Sequence, residues 1–100
     1  MNAPSRSPVL RGSILAFLAA VYPERVEELS IAGIKFEYYK YQDVLKALEY
    51  LVDRKYVERT CERHPAKLHE TVRFYRASPP GIDLVDGTAT DAGVRVEEDL

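Results

Sequence analysis

Residues 41–75 read YQDVLKALEYLVDRKYVERTCERHPAKLHETVRFY, and the order of patterns in this stretch decides the fold. Val44, Leu45, Leu48, Leu51 and Val52 recur at i, i+1, i+4, i+7 and i+8, which makes one apolar stripe on a helix and leaves Gln42, Lys46, Glu49, Tyr50 and Asp53 outside it. Such a helix docks on a core by one side. Lys55-Tyr56-Val57 then leads into two β-prone runs, 56–62 and 71–77, joined by a turn rich in Arg, Lys and His. The spacing predicts a helix over 41–54 followed directly by an antiparallel hairpin.

Upstream, Ser7-Pro8 offers a capping hydroxyl and a proline at the first helical position, where the missing N–H costs nothing. Leu10, Ile14, Phe17, Leu18 and Val21 repeat at helical spacing until Pro23, predicting a first helix over 8–22. Between 24 and 40 the pattern is less regular, because Leu29, Ile31, Ile34 and Phe36 fit neither period and Gly33 interrupts them. A short helix over 27–37, with Glu27 and Glu28 near its positive end, competes here with a partial strand over 29–36. Downstream, Ser78-Pro79-Pro80-Gly81 repeats the opening grammar of the first helix and predicts a closing helix over 79–85, stopped at Gly87. Residues 88–100 hold four acids and few large apolar groups. They read as a free acidic tail, so truncation after Gly87 is expected to leave the melting temperature nearly unchanged. The expected domain is 8–87, with 1–7 and 88–100 as flexible termini.

A chain of 100 residues is one α+β domain, too small to carry a separate catalytic unit. Its formal charge of -2 argues against a nucleic-acid binder until the charge is located. Thirteen of the fourteen basic residues but only ten of the sixteen acids fall within 1–78, a net of +3, and the stretch 54–76 alone reaches +4. The basic excess is concentrated in the hairpin. The apolar run 14–22 is too short to cross a bilayer and the polar start does not resemble a signal peptide, so no membrane partner and a cytoplasmic location are expected.

Little in the sequence supports catalysis. Cys61, His64 and His69 form a C-x2-H-x4-H string, but no second Cys or third His completes a four-ligand metal site. Cys61 lacks a visible base and orienting group for a nucleophile. The acids at 27–28 and 97–99 fall at a helix start and in the tail, where carboxylates stay ionised and solvated. The five glycines are scattered rather than gathered into a phosphate loop. The reading is a protein without enzymatic activity, metal or cofactor.

The string Val44-Leu45-Lys46-Ala47-Leu48-Glu49-Tyr50-Leu51-Val52-Asp53-Arg54-Lys55-Tyr56-Val57 resembles the recognition helix and first wing strand of the winged helix-turn-helix superfamily, as used by small bacterial, archaeal and phage regulators. Tyr75-Arg76-Ala77-Ser78-Pro79-Pro80-Gly81-Ile82-Asp83-Leu84 resembles its second wing strand running into a closing helix. The likeness implies a three-helix core with a two-stranded wing and a short C-terminal helix. Where the superfamily commonly has glycine before the aromatic, this chain has Lys55, so the helix end needs either a left-handed non-glycine residue or a different exit.

The function implied is that of a small transcriptional or phage-type regulator binding double-stranded DNA, with a homodimer implied by the shortness of one groove contact. Lys40, Tyr41, Gln42, Lys46 and Tyr50 would then face the base edges and the nearby backbone, while Arg59, Arg63, Lys67 and Arg73 on the hairpin would hold phosphates. The alternative is a winged-helix adaptor with a protein partner, favoured by Asp43, Glu49 and Asp53 on the outer side of the third helix. The surface separates these readings: a continuous positive face formed by Lys40, Lys46, Arg59, Arg63 and Lys67 favours DNA, and a hairpin pointing away from the third helix favours the adaptor.

Overall fold

The computed structural model describes residues 7–35 and 38–97, in the order α1 (Ser7–Ala20), β1 (Val26–Glu27), α2 (Glu28–Lys35), α3 (Tyr41–Asp53), β2 (Val57–Arg63), β3 (Thr71–Ala77) and α4 (Pro79–Asp86). Of the two termini expected to be flexible, 1–6 and 98–100 lie outside the described residues. The core gathers Leu10, Ile14, Leu15 and Leu18 of α1, Ile31 of α2, Val44, Leu48 and Leu51 of α3, and Tyr75 and Ala77 of β3. Ala47 completes the buried side of α3, while Leu45 and Val52 move to its half-buried flank. The helical period is as the sequence predicts, with its centre rotated slightly toward α1.

Of the two exits that the sequence leaves open, α3 uses the left-handed non-glycine residue. Lys55 has φ 68, the Lys55 N–H donates to the Val52 carbonyl, and the Tyr56 N–H donates to the Leu51 carbonyl. These two bonds form a Schellman closure, which satisfies carbonyls that the helix end would otherwise leave open. Ser78 then ties this exit to α4. Its backbone N–H donates to the Tyr56 carbonyl and its hydroxyl donates to the Lys55 carbonyl, while Oγ also accepts the Gly81 N–H as the N-cap. The direction in which the hairpin leaves α3 is therefore fixed at both of its ends.

Two expectations need correction. The expected hairpin is the larger part of a three-stranded sheet in the order β1-β3-β2, with Val26 opposite Tyr75 and Glu27 opposite Phe74. β1 satisfies the free edge of β3, and two residues are too few to show a strand period. Helix α2 accordingly starts at Glu28, and the competing strand does not form over the described part of 29–36.

The second correction concerns the tail. Residues 88–97 dock on α1 and α3: Val94 is only 4% exposed, Val96 packs on the core edge, and the Arg95 N–H donates to the Pro8 carbonyl. Asp91 accepts from the Tyr56 hydroxyl, from Arg54 and from the Gly93 N–H. Gly12 makes the approach possible, since a Cβ there would lie 1.7 Å from the Arg95 carbonyl oxygen. Two valines and one aspartate carry this docking, a signal too sparse to stand out among the acids.

Truncation after Gly87 is therefore expected to lower the melting temperature by about 10 °C, since the burial of one valine alone is worth about 1.5–3 kcal/mol in so small a domain. The Asp91 carboxyl is held below its ordinary value, first by the Tyr56 hydroxyl and then by the Gly93 N–H, so its contribution is present above pH 3.8 and lost as pH falls through the lower folded value. Asp91→Asn should flatten that acid limb in thermal melts across pH.

Candidate nucleic-acid interface

The outermost line of α3 carries Gln42, Lys46, Glu49 and Asp53, all exposed. Lys40 sits just before it as the N-cap residue, with extended backbone and no side-chain cap bond. Two of the residues expected on this surface are turned elsewhere. The Tyr41 hydroxyl donates to Glu28 Oε2 at 2.9 Å, toward the sheet. Tyr50 lies on the α1 side, with the Arg11 guanidinium 3.6 Å from its ring centroid. Lys40, Gln42 and Lys46 thus remain presented to solvent, while Tyr41 is partly engaged and Tyr50 is withdrawn.

Strand alternation sorts the hairpin charges by face. Arg59, Cys61 and Arg63 of β2, with Thr71, Arg73 and Tyr75 opposite them in register, make up the side toward α3. Glu58, Thr60 and Glu62 occupy the other side, where Arg76 bonds Glu58 and Arg25 bridges Thr60 and Glu62. Both β2 carboxylates are neutralised on that far side. The side toward α3 holds three arginines, and neither strand contributes a carboxylate to it.

Not all of these cations are free. Arg59 pairs with Glu49 across the groove at 2.8 Å, and Arg73 lies 3.5 Å from Glu28. Among the described residues, Lys40, Lys46, Arg63 and Lys67 form no ion pair. An open groove lined by Glu28, Tyr41, Lys67, Thr71 and Arg73 separates the hairpin turn from the first turn of α3, which places the turn beside the N-terminal end of that helix. The described residues contain no cluster of three His, Cys, Asp or Glu able to hold a metal, and Cys61 is exposed on its strand. No helix among them is long and apolar enough to cross a membrane.

Glu28 joins the parts of the site. Its carboxylate is buried at the start of α2 and accepts the Tyr75 hydroxyl at 2.8 Å as well as that of Tyr41. Burial first, and the bond to Glu28 second, push the Tyr75 hydroxyl up to about 12. Sequence reasoning places Glu28 at an exposed helix start, because its three partners, Tyr41, Arg73 and Tyr75, are brought to it only by the fold.

No protein-family profile and no curated protein sequence matches the chain. Solved structures do match its shape. A double-substituted variant of ZitR from Lactococcus lactis, in apo form, aligns with TM-score 0.59 and 17% identity over 83% of this chain and 56% of its own. PadR from Bacillus subtilis, in complex with operator DNA, aligns with TM-score 0.58 and 15% identity over 88% of this chain and 53% of its own. The fold is a winged helix-turn-helix. The chain spans about half the length of either match, so the likeness concerns the winged domain alone. Here the wing is the hairpin β2–β3, and it lies alongside α3 rather than away from it.

The attachment of the wing can be tested through Glu28. Glu28→Ala leaves the buried Tyr75 hydroxyl without its acceptor and should cost about 3 kcal/mol in denaturant unfolding. Tyr41→Phe, at a residue 42% exposed, should cost less than half as much. Equal and negligible losses in both would show that the carboxylate does not fasten the wing.

Proposed function

We propose that the protein binds double-stranded DNA as a small transcriptional regulator of bacterial or phage type. One observation carries the reading: the wing runs beside α3, and the unpaired Lys67 of its turn lines one groove with Tyr41, which stands between Lys40 and Gln42 in the sequence. That arrangement suits a helix start in the major groove with flanking cations on phosphates. PadR, which shares the fold, is seen on operator DNA, and this supports the proposal at the level of fold. Gln42 and Lys46 would read base edges, and Lys40, Arg63 and Lys67 would hold the backbone. Arg59 and Arg73 act instead as braces between the wing and the helices through Glu49 and Glu28. Tyr41 contributes a ring edge, and Tyr50 is left out of the contact set.

One winged domain makes one short contact, so useful affinity calls for a second copy on a neighbouring half-site. A homodimer acting in the cytoplasm is part of the proposal, with the outer sides of α1 and α4 as the contact. The second reading, a winged-helix adaptor with a protein partner, draws on a different observation. On α2, Leu29 is 63% and Ile34 52% exposed, and no charged side chain stands between them.

Titration of duplex DNA at two salt concentrations separates the two readings, because phosphate binding weakens with salt. Arg63→Gln and Lys67→Gln should each weaken binding to all sequences alike and reduce the salt slope by about 1. Arg59→Gln should change the slope less, since its charge is spent on Glu49. Gln42→Ala and Lys46→Ala should cost about 1–3 kcal/mol on a preferred site and much less on random duplex. Absence of any salt-sensitive association by the wild-type chain would transfer the case to the adaptor.

A further inference from the structure

The turn of the wing is more ordered than its composition suggests. His64 Nδ1 accepts the backbone N–H groups of both Ala66 and Lys67 at 3.0 Å. The His64 N–H donates to the Glu70 carbonyl and the Glu70 N–H donates to the Lys67 carbonyl, each at 2.9 Å. Four hydrogen bonds thus close the loop from within. Leu68 stands within this closed loop between Lys67 and His69, 65% exposed.

A leucine displayed on a hydrogen-bonded tip, instead of folded back onto the strands, is poised for a partner that is apolar inside and anionic at its rim. The cations around it define that rim. Arg63 at the end of β2 and Lys67 beside Leu68 form no ion pair among the described residues, while Glu70 supplies the single carboxylate of the turn. A DNA groove has this chemistry, with phosphates along both edges and stacked base faces between them. A protein surface matched to Lys67 and Arg63 would need acids in the same arrangement, and nothing in the fold points to one.

We propose that Leu68 is an apolar wedge: with Lys67 and Arg63 on the flanking phosphates, it enters the groove next to the one taken by α3, partly unstacks a base step and bends the duplex. This inference rests on the DNA-binding reading of the same surface. It adds a source of sequence preference that the base-facing residues of α3 do not supply. Pyrimidine–purine steps unstack more readily than A-tracts, so a site with a TA step under the wing tip is favoured without a hydrogen bond to it.

The test compares the wild-type chain with Leu68→Ala and Leu68→Met on end-labelled duplexes of otherwise identical sequence that carry either a central TA step or a central A-tract. Energy transfer between the ends reads the bend, and anisotropy reads the affinity. The expected result is that Leu68→Ala loses at least half of the bend and about tenfold in affinity on the TA duplex, with little change on the A-tract. Leu68→Met should retain both, and the salt slope should be the same in all three proteins because no charge has been removed. If Leu68→Ala binds and bends the TA duplex as the wild type does, the wedge is wrong while DNA binding stands. If the wild type associates with no duplex, the functional reading itself fails and the wedge falls with it. Loss of self-association by Leu68→Ala in light scattering, with DNA binding intact, would make Leu68 a protein contact and overturn the proposal.

Discussion

The carboxylate of Glu28 is buried where the start of α2, the start of α3 and the middle of β3 meet. A carboxylate withdrawn from water costs several kcal/mol unless hydrogen bonds replace its hydration. Here the Tyr75 and Tyr41 hydroxyls take one oxygen each, and Arg73 stands by at 3.5 Å. This interaction sets the angle between wing and α3. The Schellman exit at Lys55 and the Ser78 bridge fix the root of the wing, but its outer half has no apolar packing to hold it, and β2 beyond Val57 is largely exposed. Polar fastening by Glu28 and by the Arg59–Glu49 pair does that work instead. The position of the wing relative to α3 thus depends on the buried Glu28 together with the Arg59–Glu49 pair.

The same strands explain how a chain of net charge -2 can present a cationic surface. Arginines at 59, 63 and 73 share one face of the ribbon, and the glutamates at 58 and 62 share the other, where Arg76 and Arg25 neutralise them. Within the groove, Glu49 and Glu28 neutralise two of the three arginines. On the proposed DNA-binding reading, arginines already paired with carboxylates displace fewer counterions, so the salt dependence should report chiefly Lys40, Lys46, Arg63 and Lys67 and not the total basic count. Asp91 lowers the net charge while bound to Tyr56 and Arg54, apart from this surface.

Much of the fold was legible because it rests on local periods and punctuation. The stripe on α3, the Ser78-Pro79-Pro80 start of α4 and the stop at Gly87 each follow from a few neighbouring residues. What escaped depends on pairing across distance. β1 is two residues long and exists only because β3 has a free edge. The 88–97 segment docks by two valines, one aspartate and a close glycine contact, too few residues to form an apolar stripe. For the candidate site, the sequence located the basic hairpin and the start of α3 but not which charges are already matched. Arg59 and Arg73 looked the same as Arg63, and Tyr50 looked the same as Gln42, until α1, α2 and the wing were placed around them.

The central claim is that one surface, made of the start of α3 and the wing tip, meets the duplex. Amide chemical-shift mapping of the full chain during titration with duplex DNA tests this most directly. The account predicts that perturbations gather at Lys40, Gln42, Lys46, Arg63, Lys67 and Leu68, leaving Val94 and the α4 residue Leu84 unmoved. Perturbations centred instead on Leu29 and Ile34 of α2 or on the docked 88–97 segment, or no perturbation at low salt, would contradict it.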